Sequence, residues 1–275
     1  MEQQSPTPGL FGIVNVTEDS FSDGGRYLDP QRAIAQARAL VEAGAKVIDL
    51  GPASSHPAAR HVGPEEEIRR LAPVIDVLAN EGVTLSVDSY EVETQRYALS
   101  RGVAYLNDVA GFPAPSLYPE LARSDAQLVV MHSVQGEGPA TVVETVADTI
   151  WRRVLAFFDQ RIEALGQAGV GRERLILDPG MGLFLGRDPE VSLRVLANID
   201  RLRDHFALPV MVSVSRKSFL RVLTGRGLAE VGAATLAAEL AAAEFGVDWI
   251  RTHDVAAVAD GWRVMSAIRR ARGLD

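Results

Sequence analysis

The chain alternates about eight times between a short apolar run rich in β-branched residues and a longer segment whose apolar positions recur at helical spacing. The apolar runs are Leu10 to Val16, Val47 to Gly51, Val83 to Asp88, Ala104 to Asn107, Gln127 to His132, Leu175 to Asp178, Val210 to Val214 and Trp249 to His253. Helical spacing fills Pro30 to Ala43, Glu65 to Asn80, Glu91 to Arg101, much of Thr141 to Ala168, Val191 to Phe206 and Val231 to Phe245. Short strands that each return through a helix pair in parallel, and about eight such units close a TIM-type (β/α)8 barrel. The 275 residues suit one such α/β domain, with no linker, low-complexity tract or shift in composition, so residues 1–275 are expected to form a single barrel domain. An open doubly wound sheet is the alternative, since it too gathers strand C-termini on one side.

Bulk properties narrow the function. Hydrophobic residues make up 47% of the chain, enough for a large core, yet no run is apolar over the ~20 residues that cross a membrane. Met1 to Pro8 is polar and lacks the features of a signal peptide, and no cysteine is present, so cytoplasmic residence is expected and thiolate metal sites and disulfides are excluded. A net charge of −8 with no Lys/Arg-rich run argues against nucleic-acid binding. An anionic substrate would then need a few local cations at strand ends.

The strand ends carry Asn15, Asp49 with Gly51, Asp88, Asn107, His132, Asp178, Ser215-Arg216-Lys217, and Arg251 with His253. Polar loops are common, but a polar or ionisable residue closing nearly every apolar run points to one shared site at the face where such barrels build chemistry. Singly, each has a plainer role. Asp88 could cap the helix that follows, Asp178-Pro179-Gly180 could be a turn, and Asn107-Asp108 an Asx turn. Together they place carboxylates and amides around one mouth, which suits a small polar ligand with several donors. Ser213-Val214-Ser215-Arg216-Lys217-Ser218 joins hydroxyls, two cations and a helix start in one anion site. Cations there oppose the helix dipole, an unfavourable placement on a bare surface. Arg251-Thr252-His253-Asp254 adds a further cation and a histidine suited to phosphate. Gly51 to Arg60 is a long small-residue loop of the kind that closes over ligands. No His-rich spacing exists for zinc, whereas Mg²⁺ carried by substrate phosphates needs only one or two protein oxygens, one of which Asn15 could supply.

These motifs, in this order, resemble dihydropteroate synthases. The resemblance is carried by Gly12 to Gly25, Gly51 to Ala59, Ser86-Val87-Asp88, Leu106-Asn107-Asp108, Val130-Met131-His132, Leu177-Asp178-Pro179-Gly180, Ser215-Arg216-Lys217-Ser218 and Arg251-Thr252-His253-Asp254, and it covers nearly the whole chain. It implies a barrel that joins 6-hydroxymethyl-7,8-dihydropterin pyrophosphate to p-aminobenzoate, yielding 7,8-dihydropteroate and pyrophosphate. Position by position, it assigns Asp88, Asn107, Met131, Asp178 and Lys217 to the pterin, and Asn15, Arg251 and His253 to the pyrophosphate. Asn15 would also touch Mg²⁺. Ser55, His56, Pro57 and Ser218, with Leu183 and Phe184 as the altered wall, would flank p-aminobenzoate. Asn15, Asp88, Lys217, Arg251 and His253 would form the catalytic set. The family also implies a homodimer, for which the apolar segments Val191 to Phe206 and Val231 to Phe245 could supply a face, although burial in the core explains them equally.

The chain departs from the usual family pattern in two loops. Where the family commonly has Gly-Gly-Glu-Ser-Thr-Arg-Pro-Gly, this chain has Gly51-Pro52-Ala53-Ser54-Ser55-His56-Pro57-Ala58. The hydroxyl survives in Ser55, but His56 replaces a permanent cation. Where the family commonly has Gly-Phe-Gly-Phe-Gly-Lys, it has Gly180-Met181-Gly182-Leu183-Phe184-Leu185-Gly186. With Glu93 to Leu99 and Val212 to Leu220, these departures resemble the sulfonamide-insensitive, mobile-element-borne members of the family. A bulkier wall at Leu183 to Leu185 would reject a sulfonyl group yet admit a flat carboxylate. Two other readings fit the pterin pocket: a pterin-dependent methyltransferase barrel, which has no need of the Ser215-Arg216-Lys217 clamp, and a non-catalytic pterin-binding paralogue.

Overall fold

A computed structural model of the chain describes residues 7–17, 30–53, 61–135 and 143–273. Its strands are β1 (Gly9–Asn15), β2 (Val47–Gly51), β3 (Leu85–Asp88), β4 (Tyr105–Asp108), β5 (Gln127–Met131), β6 (Leu175–Asp178), β7 (Met211–Val212) and β8 (Trp249–Thr252). They form one 8-stranded sheet in the order β6-β5-β4-β3-β2-β1-β8-β7, parallel throughout. A parallel bridge between Leu177 and Val210 joins the two ends of that order, with the Leu177 N–H donating to the Pro209 carbonyl at 2.9 Å. Closure removes both sheet edges and excludes the open doubly wound alternative.

The helices are α1 (Pro30–Glu42), α2 (Pro64–Asn80), α3 (Val92–Ser100), α4 (Tyr118–Arg123), α5 (Ile150–Gln167), α6 (Pro189–Leu196), α7 (Asp200–Phe206), α8 (Ser218–Thr224), α9 (Gly232–Glu244) and α10 (Val255–Ala271). Pro64 opens α2 at the position where its missing N–H costs nothing, and Glu65, Glu66 and Glu67 face the positive end of the helix dipole. The helix expected over Val191 to Phe206 is two helices, α6 and α7. Between them the Asn198 side chain donates to the Arg194 carbonyl at 2.9 Å, offering that carbonyl an alternative to the helical ladder. The long helix expected over much of Thr141 to Ala168 is α5, preceded by a 3₁₀ turn at Ala147–Thr149. Val191, Val195, Leu196, Leu202 and Phe206 are all core residues.

Side-chain alternation along the strands divides the interior into two regions. Outward-facing Leu10, Val14, Ile48, Leu50, Val87, Leu106, Leu128, Val130, Leu177 and Ile250 pack under the helices in the main core. Inward-facing Phe11, Val47, Val129, Ile176 and Met211, with Tyr105 and Trp249, fill the floor of the barrel. Phe11 meets Tyr105 and Trp249 edge-on, with ring centroids 5.1 Å apart in each case. Gly9 is required in this floor, because the Trp249 indole occupies the space a Cβ would take.

Candidate active site

On six of the strands, the position two residues above an inward-facing one presents a polar group at the mouth. Val47 is followed by Asp49, Ser86 by Asp88, Tyr105 by Asn107, Ile176 by Asp178, Met211 by Ser213, and Trp249 by Arg251. A period of two therefore carries residues from six strands into one cluster. Asp88, Asn107, Asp178, Ser213, Lys217 and Arg251 line a single cavity, walled by Val109, Met131, Met181 and Phe184. Larger clefts of about 580 and 380 Å³ exist elsewhere, beside Tyr105 and Gln127 and beside Trp262 and Lys46, but neither gathers several carboxylates.

Arg251 organises the cluster. Its Nε donates to Asp49 Oδ2 at 2.5 Å and its Nη2 to Asp88 Oδ2 at 2.6 Å. Burial opposes the guanidinium charge, but Asp49 and Asp88 outweigh it and hold the pKa above its ordinary value. Asp49 also accepts from Asn107 Nδ2 at 3.2 Å. That bond orients the amide and leaves Asn107 Oδ1 buried without a partner. Asp178 Oδ1 accepts the Gly180 N–H at 2.8 Å, which leaves its second oxygen for a ligand. Burial raises Asp88 above the usual carboxylate range despite Arg251, and takes Asp178 up to about 6. Burial, with Arg251 beside it, brings Lys217 down to about 8. Lys217 Nζ lies over the Phe184 ring, 4.9 Å from its centroid.

The plainer roles considered for these residues separate cleanly. Asp88 caps nothing: the α3 N-cap is Glu91, whose N–H is accepted by Ser89 Oγ at 3.1 Å. Of the Asn107-Asp108 pair, Asp108 faces outward and builds the turn, accepting from Ala110 N at 2.8 Å, Phe112 N at 3.0 Å and Gln95 Nε2 at 2.9 Å. Asp178 both sets its turn and lines the cavity.

At the anion end, Ser215 Oγ and His253 Nδ1 share a hydrogen bond of 2.9 Å that links the ends of β7 and β8. Burial, then Arg216, Arg251 and Lys217, lower His253 to about 3, so it is a neutral hydrogen-bonding ring. Asn15 is exposed at the C-terminal end of β1, paired in register with Gly51, and does not line the cavity. Leu183 and Phe184 lie in the 3₁₀ turn Gly182–Phe184. Gly182 has φ +66°, and a Cβ there would come within 2.9 Å of Ser218 Oγ, so this turn packs directly on the start of α8. Ser55, His56 and Pro57 fall outside the described residues.

Sequence reading noted Asp49 as a strand end without giving it a role. Its signal was the same even spacing that picks out Asp88 on the next strand. Val109 and Met181 carry no role in the sequence reading, because apolar residues near strand ends have no distinctive signal, and Ser213 enters it only as one hydroxyl of the anion motif.

The cavity therefore offers bare acceptors (Asn107 Oδ1 and the free Asp178 oxygen), two cations and apolar walls, and comparisons with known proteins agree in kind. The family of pterin binding enzymes matches residues 11–253. The chain is 62% identical over 260 residues to dihydropteroate synthase type-2 of Escherichia coli, covering 94% of this chain and 96% of that one. Among solved structures, dihydropteroate synthase of Xanthomonas albilineans with 4-aminobenzoic acid superposes with a TM-score of 0.86 at 36% identity, covering 96% and 94% of the two chains. The same enzyme in complex with 7,8-dihydropteroate gives a TM-score of 0.82 at 35% identity, with the same coverage. The chain belongs to the dihydropteroate synthase family of pterin binding enzymes.

Proposed function

We infer that the chain condenses 6-hydroxymethyl-7,8-dihydropterin pyrophosphate with p-aminobenzoate, releasing pyrophosphate and 7,8-dihydropteroate. The observation that carries this reading is the convergence of Asp88, Asn107, Asp178, Lys217 and Arg251 on one cavity with buried acceptors unpartnered. A pterin supplies amino and ring N–H donors to those acceptors and a ring carbonyl to Lys217, so the groups left bare in the protein are satisfied on binding. Val109, Met131 and Met181 provide the flat apolar walls.

Cations gather next to that pocket, where the pyrophosphate leaves. Arg251, Lys217 and the His253–Ser215 pair lie at the ends of β7 and β8, and preorganised donors at a developing anion are the strongest form of electrostatic catalysis. Pyrophosphate departs first, the dihydropterin ring delocalises the CH₂ cation, and the neutral aniline nitrogen then attacks. No strong general base is required, in keeping with a His253 that stays neutral.

Among the described residues no group of three or more His, Asp or Glu could hold a metal. The exposed Asn15 amide at the mouth does fit an ion that arrives on the diphosphate and needs one protein oxygen. Mg²⁺ bound there would neutralise leaving-group charge. Ser218 would meet the p-aminobenzoate carboxylate, a reading supported by its position at the start of α8 beside the Leu183-Phe184 turn, and Ser55, His56 and Pro57 would flank the same substrate. The same turn narrows that end of the site and reduces sulfonamide sensitivity. The chain pairs as a homodimer, a reading supported by the exposed apolar residues Val222, Leu223, Leu228, Val264 and Ile268, each more than half accessible. The enzyme works in the cytoplasm, a reading supported by a chain without cysteine.

The test is turnover of both substrates with Mg²⁺, following pyrophosphate and dihydropteroate together. Pterin pyrophosphate binding with neither product formed would identify a non-catalytic paralogue instead.

A further inference from the structure

The loops after β7 and β8 are braced from behind by one helix. α9 is mostly alanine and leucine, yet it buries Thr235 and Glu239, four residues apart and so on one face. Thr235 Oγ1 accepts the Arg216 backbone N–H at 3.2 Å. Arg216 has φ +59°, a left-handed conformation that a non-glycine residue keeps only where its surroundings hold it. One turn along, Glu239 lies against the Thr252 hydroxyl, whose influence favours its charged form. Thr252 lies between Arg251 and His253 but faces outward, and its Oγ1 in turn accepts the Asp254 N–H at 3.1 Å. The Ser215–His253 hydrogen bond completes the circuit on the cavity side.

Packing does not account for Glu239. The residue is 1% accessible, and its Oε1 has no hydrogen-bond partner. Burial takes its pKa up to about 7, with Thr252 and Arg216 opposing that shift and Asp254 adding to it. A buried carboxyl so poorly partnered destabilises a fold, and an apolar residue would fill the same space more favourably.

We propose that Glu239, together with Thr235, is a positioning residue for the pyrophosphate end of the site. From one helix face it sets the distance between the Ser215-Arg216-Lys217 loop and the Arg251-His253 strand end, so both halves of the anion clamp engage one diphosphate. The proposal rests on the reading that these two strand ends take the diphosphate.

The experiment compares Glu239→Ala, Glu239→Gln and Arg251→Ala with the unaltered enzyme. It reads KM for each substrate, inhibition by inorganic pyrophosphate, and the thermal midpoint. Glu239→Ala is expected to raise KM for the pterin substrate and Ki for pyrophosphate in parallel by about tenfold, the scale of one hydrogen bond to a charged group. KM for p-aminobenzoate should stay within about twofold, and Glu239→Gln, which keeps an acceptor for Thr252, should recover most of the loss. If Glu239→Ala does not fold, Thr252→Val removes the hydroxyl that faces Glu239 at nearly constant volume and carries the same expectations. A lowered thermal midpoint without the split between substrates, or a glutamine variant as impaired as the alanine one, overturns the proposal. Pyrophosphate inhibition lost in Arg251→Ala but intact in Glu239→Ala overturns the positioning role alone. Inhibition unchanged in both overturns the site reading itself.

Discussion

Arg251 reaches across β1 to hold two carboxylates at once, Asp49 on β2 and Asp88 on β3, at 2.5 and 2.6 Å. Asp49 is inaccessible and the Arg251 side chain only 13% accessible, so the pair is a fixture of the barrel interior. Breaking a buried, hydrogen-bonded ion pair by removing one partner costs far more than losing a surface pair. Lysine has one compact ammonium and cannot span both acids. Arg251→Lys should lower kcat/KM by about 100-fold, and Asp49→Asn, which keeps an acceptor for Nε, by about tenfold. Steady-state kinetics checks both, and near-normal turnover in Arg251→Lys would contradict the assigned role.

Asp178 should matter for one substrate and not the other. Asparagine at 178 would retain the turn through its carbonyl oxygen, as Gly180 N–H now donates to Oδ1 at 2.8 Å. The second oxygen, however, would become an N–H facing a pterin N–H. The expected result is a rise in KM for the pterin substrate of about 100-fold with KM for p-aminobenzoate little altered. Equal changes in both would place Asp178 outside the pterin pocket.

Activity should pass through a maximum between about pH 6 and 8. Below about 6, burial-raised Asp178 takes up a proton and loses acceptor capacity. Above about 8, burial-lowered Lys217 loses its charge. Both groups are in the binding form only between those values, so kcat/KM for the pterin substrate should be bell-shaped. Lys217→Arg cannot deprotonate in this range, and its profile should lose the alkaline limb. An alkaline limb that persists in that variant would assign it to another group.

His132 gives a stability prediction of definite sign. Burial takes it from an ordinary 6.5 down to about 4, while its Nδ1 hydrogen-bonds the Pro179 carbonyl at 3.0 Å. The unfolded chain therefore binds a proton near pH 6.5 that the folded chain refuses until about 4. Its contribution is fully present above 6.5 and is lost as pH falls through that window. Glutamine at this position donates to the same carbonyl without titrating. The stability difference between the unaltered enzyme and His132→Gln, measured by denaturant unfolding, should shift in favour of the variant from pH 7 to pH 4.

The Leu183-Phe184 turn should set drug response. Phe184 is buried under Lys217, and the turn packs on Ser218 through Gly182. Phe184→Ala opens space beside α8 and should strengthen sulfonamide inhibition by about tenfold or more, with a smaller change in KM for p-aminobenzoate. Inhibition constants measured in parallel decide this, and equal shifts for drug and substrate would reject the wall.

Much of the architecture was legible in the letters, because alternation of period two and helical periodicity are local properties. Val47 to Gly51 and Leu175 to Asp178 are strands with the bounds their apolar runs suggest, and the polar groups closing them belong to the mouth. The break between α6 and α7 was not legible, since it turns on one Asn198 side chain choosing a backbone carbonyl. Nor could local pattern distinguish Asn107 from Asp108. Their side chains emerge on opposite faces of β4, and only closure of the sheet makes one face a cavity and the other a packed turn.

The sequence by itself determined that strands and helices alternate and which residues stand at the strand ends. Tertiary structure decided what those residues do, because Asp49 and Arg251 are separated by 202 positions in the chain and meet only once the barrel closes. Closure takes both out of water, and in that setting charge, burial and a shared hydrogen bond turn an ordinary aspartate into the anchor of the site.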